Sequence, residues 1–273
     1  MSRRKKRWIQ HLLFLTGFLL CCYPMISGLF QGKKQEKVIK SYEELVDNQI
    51  DQSIQEELEV AKSYNDVLFQ SKGYLIENET IQILDQEHYH QLLNLSGSGM
   101  MGSIEIPKIN AYLPIYHGVE EEVLSGSIGH LEGSSLPVGG TNTRAVLTGH
   151  RGLPNAKLFT RLDEIQLGDF FYIHVLDQTL AYQVAEIEVI EPEEVELLEI
   201  QPEKDLISLV TCTPYGINTH RLVVTGERVL FEQAQHDEIK PEIMSFRELL
   251  FLCVPFVFLG IGVIGCVKKR KDR

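Results

Sequence analysis

Two apolar runs, Trp8 to Phe30 and Leu249 to Val267, constrain this 273-residue chain more than any other feature. Each is uncharged apart from His11 and is long enough to cross a hydrocarbon core as a helix. Arg3, Arg4, Lys5, Lys6 and Arg7 precede the first run, and Lys268, Lys269, Arg270, Lys271 and Arg273 follow the second. Basic flanks mark cytoplasmic ends, so both termini are expected inside, with residues 31–248 on the far side of the membrane. A cleaved signal peptide is the alternative reading of the first run, with Ser27 and Gly28 as its small residues.

The formal charge of −12 hides an asymmetry. Ten of the 26 basic residues sit in the two tails beside a single acid, Asp272, which leaves 16 basic and 37 acidic residues, or −21, for the rest. Such a surface repels phosphates and argues against a nucleic-acid partner. A lysine-bearing protein suits it better. Of five cysteines, Cys21, Cys22, Cys253 and Cys266 lie in the apolar runs, so Cys212 alone belongs to the exported part and has no intrachain disulfide partner there. A lone exported thiol is open to oxidation. It is either buried and inert or kept for its reactivity, and the count alone does not separate the two.

Residues 36–64 are predicted as a helix, with Val46, Ile50, Ile54, Leu58 and Ala61 at helical spacing. Residues 65–98 read as a loop or lid that ends in a Ser-Gly hinge. From Met101 the pattern changes to short β-rich runs at 102–106, 111–116, 144–149, 169–176, 179–191, 205–212 and 220–230, as in a barrel or sandwich. A short helix is predicted over Asn155 to Ile165, and Glu232 to Glu242 reads as a linker with a solvated His236. The expected organisation is therefore a tail at 1–7, an anchor at 8–30, a helix and lid-like region at 31–100 and a β domain at 101–230. A linker at 231–248, a second anchor at 249–267 and a tail at 268–273 complete it.

Cys212 ends the apolar run Leu206 to Thr211 and precedes the turn Thr213-Pro214-Tyr215-Gly216. A strand end holds a side chain firmly while the following loop leaves room for a substrate. A thiol attacks as its thiolate, so it needs a proton acceptor from elsewhere in the chain. His150, at the end of Arg144 to Gly149, and His220, at the start of the next strand, are both candidates; His117, His130 and His174 also adjoin strands. Arg221, nine residues after Cys212, would return beside the thiol if 213–219 formed a hairpin, and a guanidinium there could stabilise an oxyanion. No metal-ligand spacing and no phosphate-cradling glycine loop is present, so no cofactor is required.

The segment Val210-Thr211-Cys212-Thr213-Pro214-Tyr215-Gly216-Ile217-Asn218-Thr219-His220-Arg221 resembles the active-site region of sortases, the class C, pilin-polymerising branch in particular. The resemblance continues upstream through Ile104 to Ile109, Leu113 to Gly118, Gly129 to Gly133 and Gly149 to Pro154. It implies an eight-stranded β-barrel, with short helices, an N-terminal helix and two membrane anchors around it. It also implies His150 as catalytic acid, Cys212 as nucleophile and Arg221 as the catalytic arginine, and leaves His220 a structural role. The implied reaction cleaves an LPXTG-like sorting signal between Thr and Gly, holds it as a thioester and passes it to a pilin lysine. A cell-wall-anchoring sortase using a peptidoglycan amine is the alternative within the family, and a non-catalytic signal-binding factor the alternative outside it. In one respect the chain departs from the branch. The Asp-Pro-aromatic lid motif is replaced by Asn65-Asp66-Val67-Leu68-Phe69, so either Asp66 and Phe69 substitute for it or 65–98 is mobile.

Overall fold

The computed structural model describes residues 3–71, 86–241, 244–245, 247–250, 253–257 and 259–260. Eight strands close into a barrel: β1 (Met100–Ile106), β2 (Ala111–His117), β3 (Ile128–His130), β4 (Thr143–Thr148), β5 (Phe170–Val175), β6 (Gln178–Ile190), β7 (Asp205–Thr213) and β8 (His220–Val229). The order around the ring is β1-β2-β3-β4-β7-β8-β6-β5, with β5 pairing back onto β1. Two of the pairs, β2 with β3 and β4 with β7, are parallel.

Strand periodicity explains why β4, β7 and β8 are apolar on both faces. Ala145, Leu147, Ile207, Leu209, Leu222 and Val224 join the main core, while the alternate residues Val146, Val210 and Val223 form a second cluster with Ile190. Leu131 and Leu198 cover that second cluster. Seven strands lie within two residues of their predicted bounds. β3 was not legible, because three residues are too few to show an alternation.

The helix predicted over 36–64 is two helices, α1 (Arg3–Asp47) and α2 (Asp51–Ser71). The break at 48–50 leaves Ile50, one of the positions assigned to the apolar face, 75% exposed. Past it, Ile54, Leu58, Ala61, Tyr64 and Leu68 bury the inner face of α2. The second half of α1 packs Ile39, Tyr42 and Val46 onto the barrel, where the Tyr42 hydroxyl donates to Met101 O at 3.0 Å. Among the described residues one helix, Leu12–Asp47, contains a stretch long and apolar enough to cross a membrane, with mean hydropathy 1.9 and none of that stretch buried. Of the second apolar run, residues 251–252, 258 and 261–267 lie outside the described residues.

Of the region read as a lid, 65–71 belong to α2, while 72–85 lie outside the described residues. Asn65 is buried, accepting from Leu136 N at 2.7 Å and donating to Leu136 O at 3.1 Å. Asp66 lines a cavity of about 810 Å³ bounded by Gly139–Thr143, Asp205 and Arg228. That cavity opens at the Asp205 end of β7, seven residues from Cys212, or about 23 Å along an extended strand.

The chain returns through α3 (Gln86–Tyr89), and Tyr89 is buried together with Leu92 and Leu93 of the turn that follows. Fully buried His130 lies under Tyr89, with Nε2 2.8 Å from Ser135 O and Nδ1 2.8 Å from the Tyr89 hydroxyl. Those partners suit a neutral ring that donates through Nε2 and accepts at Nδ1. Burial pushes its pKa down to about 4 from 6.5. Because the folded value is the lower one, this neutral histidine leaves stability intact above pH 6.5 and removes it as the pH falls toward 4. Urea unfolding at pH 7 and pH 4.5 should therefore differ by roughly 2–3 kcal/mol more in the native chain than in His130→Gln. Equal pH dependence in the two proteins would clear His130 of the effect.

Two other expectations are corrected. Asn155 to Ile165 is not a helix but a run of turns ending in a short 3-10 segment at Leu162–Glu164. There Leu158 takes a positive φ of 35°, and Phe159 N returns to His150 O at 3.2 Å. His236 is not simply solvated either. It lies on α5 (Gln233–Glu238), with Nε2 3.2 Å from Glu105 Oε1, while His174 Nε2 holds the other carboxylate oxygen at 3.1 Å. Burial lowers the His236 pKa, but the hydrogen bonds it makes to Asp237 and Glu105 outweigh it and raise the group above its usual value.

Candidate active site

Cys212, Arg221 and His150 come from three adjacent strand ends at one pole of the barrel. Cys212 stands directly opposite Arg221 in the antiparallel β7/β8 register, which puts both side chains on one face about 5 Å apart at Cβ. The chain leaves β7 through a cis Thr213–Pro214 peptide, and the hairpin expected over 213–219 is present. The guanidinium of Arg221 uses only Nη1, donating to Asn218 O at 3.4 Å and His220 O at 3.2 Å. Its Nε and Nη2 donors meet no partner among the described residues, which leaves them available to a ligand.

His150 reaches the same level through the parallel β4/β7 pair. Thr148 is in register with Val210, and each candidate lies two residues further along its strand. The ladder continues past the formal end of β4, with Gly149 N donating to Val210 O at 3.1 Å and buried Thr211 Oγ1 donating to Gly149 O at 2.7 Å. Residue 149 has to be small, since a Cβ there would stand 2.6 Å from Ile128 Cδ1 and 2.8 Å from Phe159 Cδ2. Both Cys212 and His150 are half-buried. A thiol, an imidazole and a guanidinium in this arrangement can attack a carbonyl, manage a proton and hold an oxyanion.

Sequence reasoning missed two residues at this pole. Glu121, on α4 (Glu121–Leu124), places Oε2 3.2 Å from His150 Nε2, although the carboxylate side chain is 78% exposed. Arg151 is buried, with Nη1 3.1 Å from Thr213 Oγ1 and Nη2 2.5 Å from Asp163 Oδ2. Its only signal in the sequence was adjacency to His150.

The other histidines are accounted for by local structure. His220 lies opposite Thr213 and exchanges a hydrogen bond with Thr219 Oγ1 at 2.9 Å. His117 is buried against Tyr89, and burial lowers its pKa. His174 belongs to the Glu105 cluster on the barrel side.

The family model of the sortase domain matches residues 104–229, the span that contains all three candidate residues. A solved sortase C1 from Streptococcus agalactiae is 41% identical with a TM-score of 0.65, covering 72% of this chain and 100% of that one. The chain belongs to the sortase family of cysteine transpeptidases. Several solved neighbours carry sortase C names, and one from Corynebacterium diphtheriae is named sortase A. Streptococcus pneumoniae sortase C, described with reference to pilin substrate specificity, is 40% identical with a TM-score of 0.60, covering 71% and 97% of the two chains. Clostridium perfringens sortase C, solved with the C-terminal cell wall sorting motif, is 41% identical with a TM-score of 0.61, covering 71% and 99%. Two curated sortases at 31% identity are spanned over 63% and 52% of their lengths. The barrel of this sortase thus agrees with the fold that the motif around Cys212 implied.

Proposed function

We propose that this sortase polymerises pilin subunits on the outer face of the membrane. Cys212 attacks the Thr carbonyl of an LPXTG-like sorting signal, and His150 protonates the departing Gly amine, leaving a thioester on the sulfur. A lysine amine of a second pilin subunit then displaces the sulfur and closes an isopeptide bond. The observation that carries this reading is the shared register of Cys212 and Arg221, with His150 brought alongside by the extended β4 ladder. The acidic exported domain suits a lysine donor, and the named neighbours favour pilin over wall. Cytoplasmic basic tails flanking two anchors would hold the domain outside.

The test presents the full chain, in detergent, with a sorting-signal peptide and either a lysine-bearing pilin or a peptidoglycan-precursor amine. Mass spectrometry should find the peptide joined to the pilin. Joining to the wall mimic alone would make the protein a wall-anchoring enzyme instead.

Arg221 should act on the oxyanion through its two unengaged donors. Arg221→Ala is expected to slow thioester formation by about 10²- to 10³-fold, the usual cost of losing one oxyanion donor. Arg221→Lys should recover only part of this, since an ammonium lacks the planar fork. Acylation by Arg221→Ala at the native rate would remove the guanidinium from the chemistry.

A further inference from the structure

We propose that Arg151 is a positioning residue that sets the placement of His150 against Cys212, through a bridge that Asp163 extends to Arg247 beside the second apolar run. This rests on the roles assigned above to Cys212 and His150. The loop after β4 that bears His150 has no helix or strand until Leu162, so beyond backbone bonds such as Phe159 N to His150 O its shape rests on side-chain ties. Arg151 supplies the tie across the site. Its planar fork puts one nitrogen on Thr213, the residue after Cys212, and the other on Asp163, at the far end of the same loop.

The guanidinium also lies 5.7 Å from the centre of the Tyr215 ring, beyond the thiol on the same turn. Gly152 permits this packing, since its φ is +81° and a Cβ there would meet the Tyr215 ring at 3.1 Å. One guanidinium therefore holds both the His150 loop and the Cys212 turn, and its geometry is not one an ammonium can copy.

The second carboxylate oxygen of Asp163 faces outward, 2.8 Å from Arg247 Nη2. Arg247 also meets Glu164 at 3.0 Å, and its neighbour Glu248 meets Lys157 at 2.7 Å. On the other flank Ser27, in α1, donates to Pro154 O at 3.2 Å. The loop that carries the catalytic imidazole is thus braced from the two segments nearest the membrane, and Arg151 joins that brace to the thiol.

The experiment compares the native full chain in detergent with Arg151→Met, Arg151→Lys, Thr213→Val and Arg247→Gln. Two readouts are taken: acylation by a sorting-signal peptide, and the pH profile of Cys212 alkylation by iodoacetamide, followed on the Cys212 peptide by mass spectrometry. Arg151→Met and Arg151→Lys should lower kcat by about 10- to 100-fold with KM changed by less than about two-fold, the signature of misplaced reacting groups. The alkylation profile should shift in both, and the effects of Arg151→Met and Thr213→Val should fail to add. Arg247→Gln should lower kcat by only about two- to five-fold, because it loosens the brace from its outer end.

A native kcat and an unmoved alkylation profile in Arg151→Met overturn the proposal. Should Arg151→Met not fold, Thr213→Val decides in its place, since it removes the bridge and leaves the buried ion pair intact. A chain that ignores the peptide while its alkylation profile still depends on Arg151 leaves this proposal standing and sinks the substrate assignment alone.

Discussion

Cys212→Ala is expected to abolish the acyl-enzyme, with the rate of sorting-signal cleavage falling by at least about four orders of magnitude. Removing the nucleophile of a catalytic group that acts as a unit has effects on that scale or larger. The substitution trims one sulfur from a half-buried side chain at the end of a strand held by ladders on both sides. The fold should therefore survive, with a melting temperature within about 4 °C of native. Intact mass after incubation with the peptide is the direct measurement. A persistent thioester-sized adduct on the variant would assign the nucleophile elsewhere.

His150→Ala should cost about 10²- to 10⁴-fold in the first half-reaction, the range for loss of a positioned proton donor or acceptor. The departing amine needs a proton, whereas an activated ester in its place does not. The defect should accordingly shrink on a peptide ester with a good leaving group, while the Cys212→Ala defect should not. Equal defects on amide and ester would make His150 a structural residue. His220→Ala serves as the comparison, since its side chain bonds to Thr219 at the neighbouring register position. It should retain activity within about ten-fold of native.

The barrel was legible in the sequence wherever β-rich apolar runs between turn residues were long enough, as in Leu206 to Thr211 or Leu222 to Val224. It failed where tertiary contacts overrode local pattern. The run Asn155 to Ile165 has helical spacing but is wrapped back onto His150 O, with Leu158 in a left-handed conformation. The α1/α2 break escaped notice because Ile50 looked like a core position and is in fact exposed.

The site divides in the same way. Cys212 and Arg221 lie nine residues apart on one hairpin, so spacing alone could suggest their meeting. His150 could not be chosen over His220 by local pattern, since the β4/β7 pairing that brings it in joins segments 62 residues apart. Family resemblance supplied that choice. Arg151 and Glu121 carried no usable signal, because an arginine in a Gly/Pro loop and an acid in an acidic stretch both read as solvated.

The parallel pairing of β4 with β7 also bears on the order of events as the chain matures. Contacts between distant segments bear a large loop-closure cost and tend to form late. Before the ring closes, the cysteine is an ordinary thiol on a chain that has not yet delivered its imidazole. If Cys212 and His150 act as proposed, reactivity toward carbonyls arrives only with the finished barrel. On that reading, completing the fold is what completes the site.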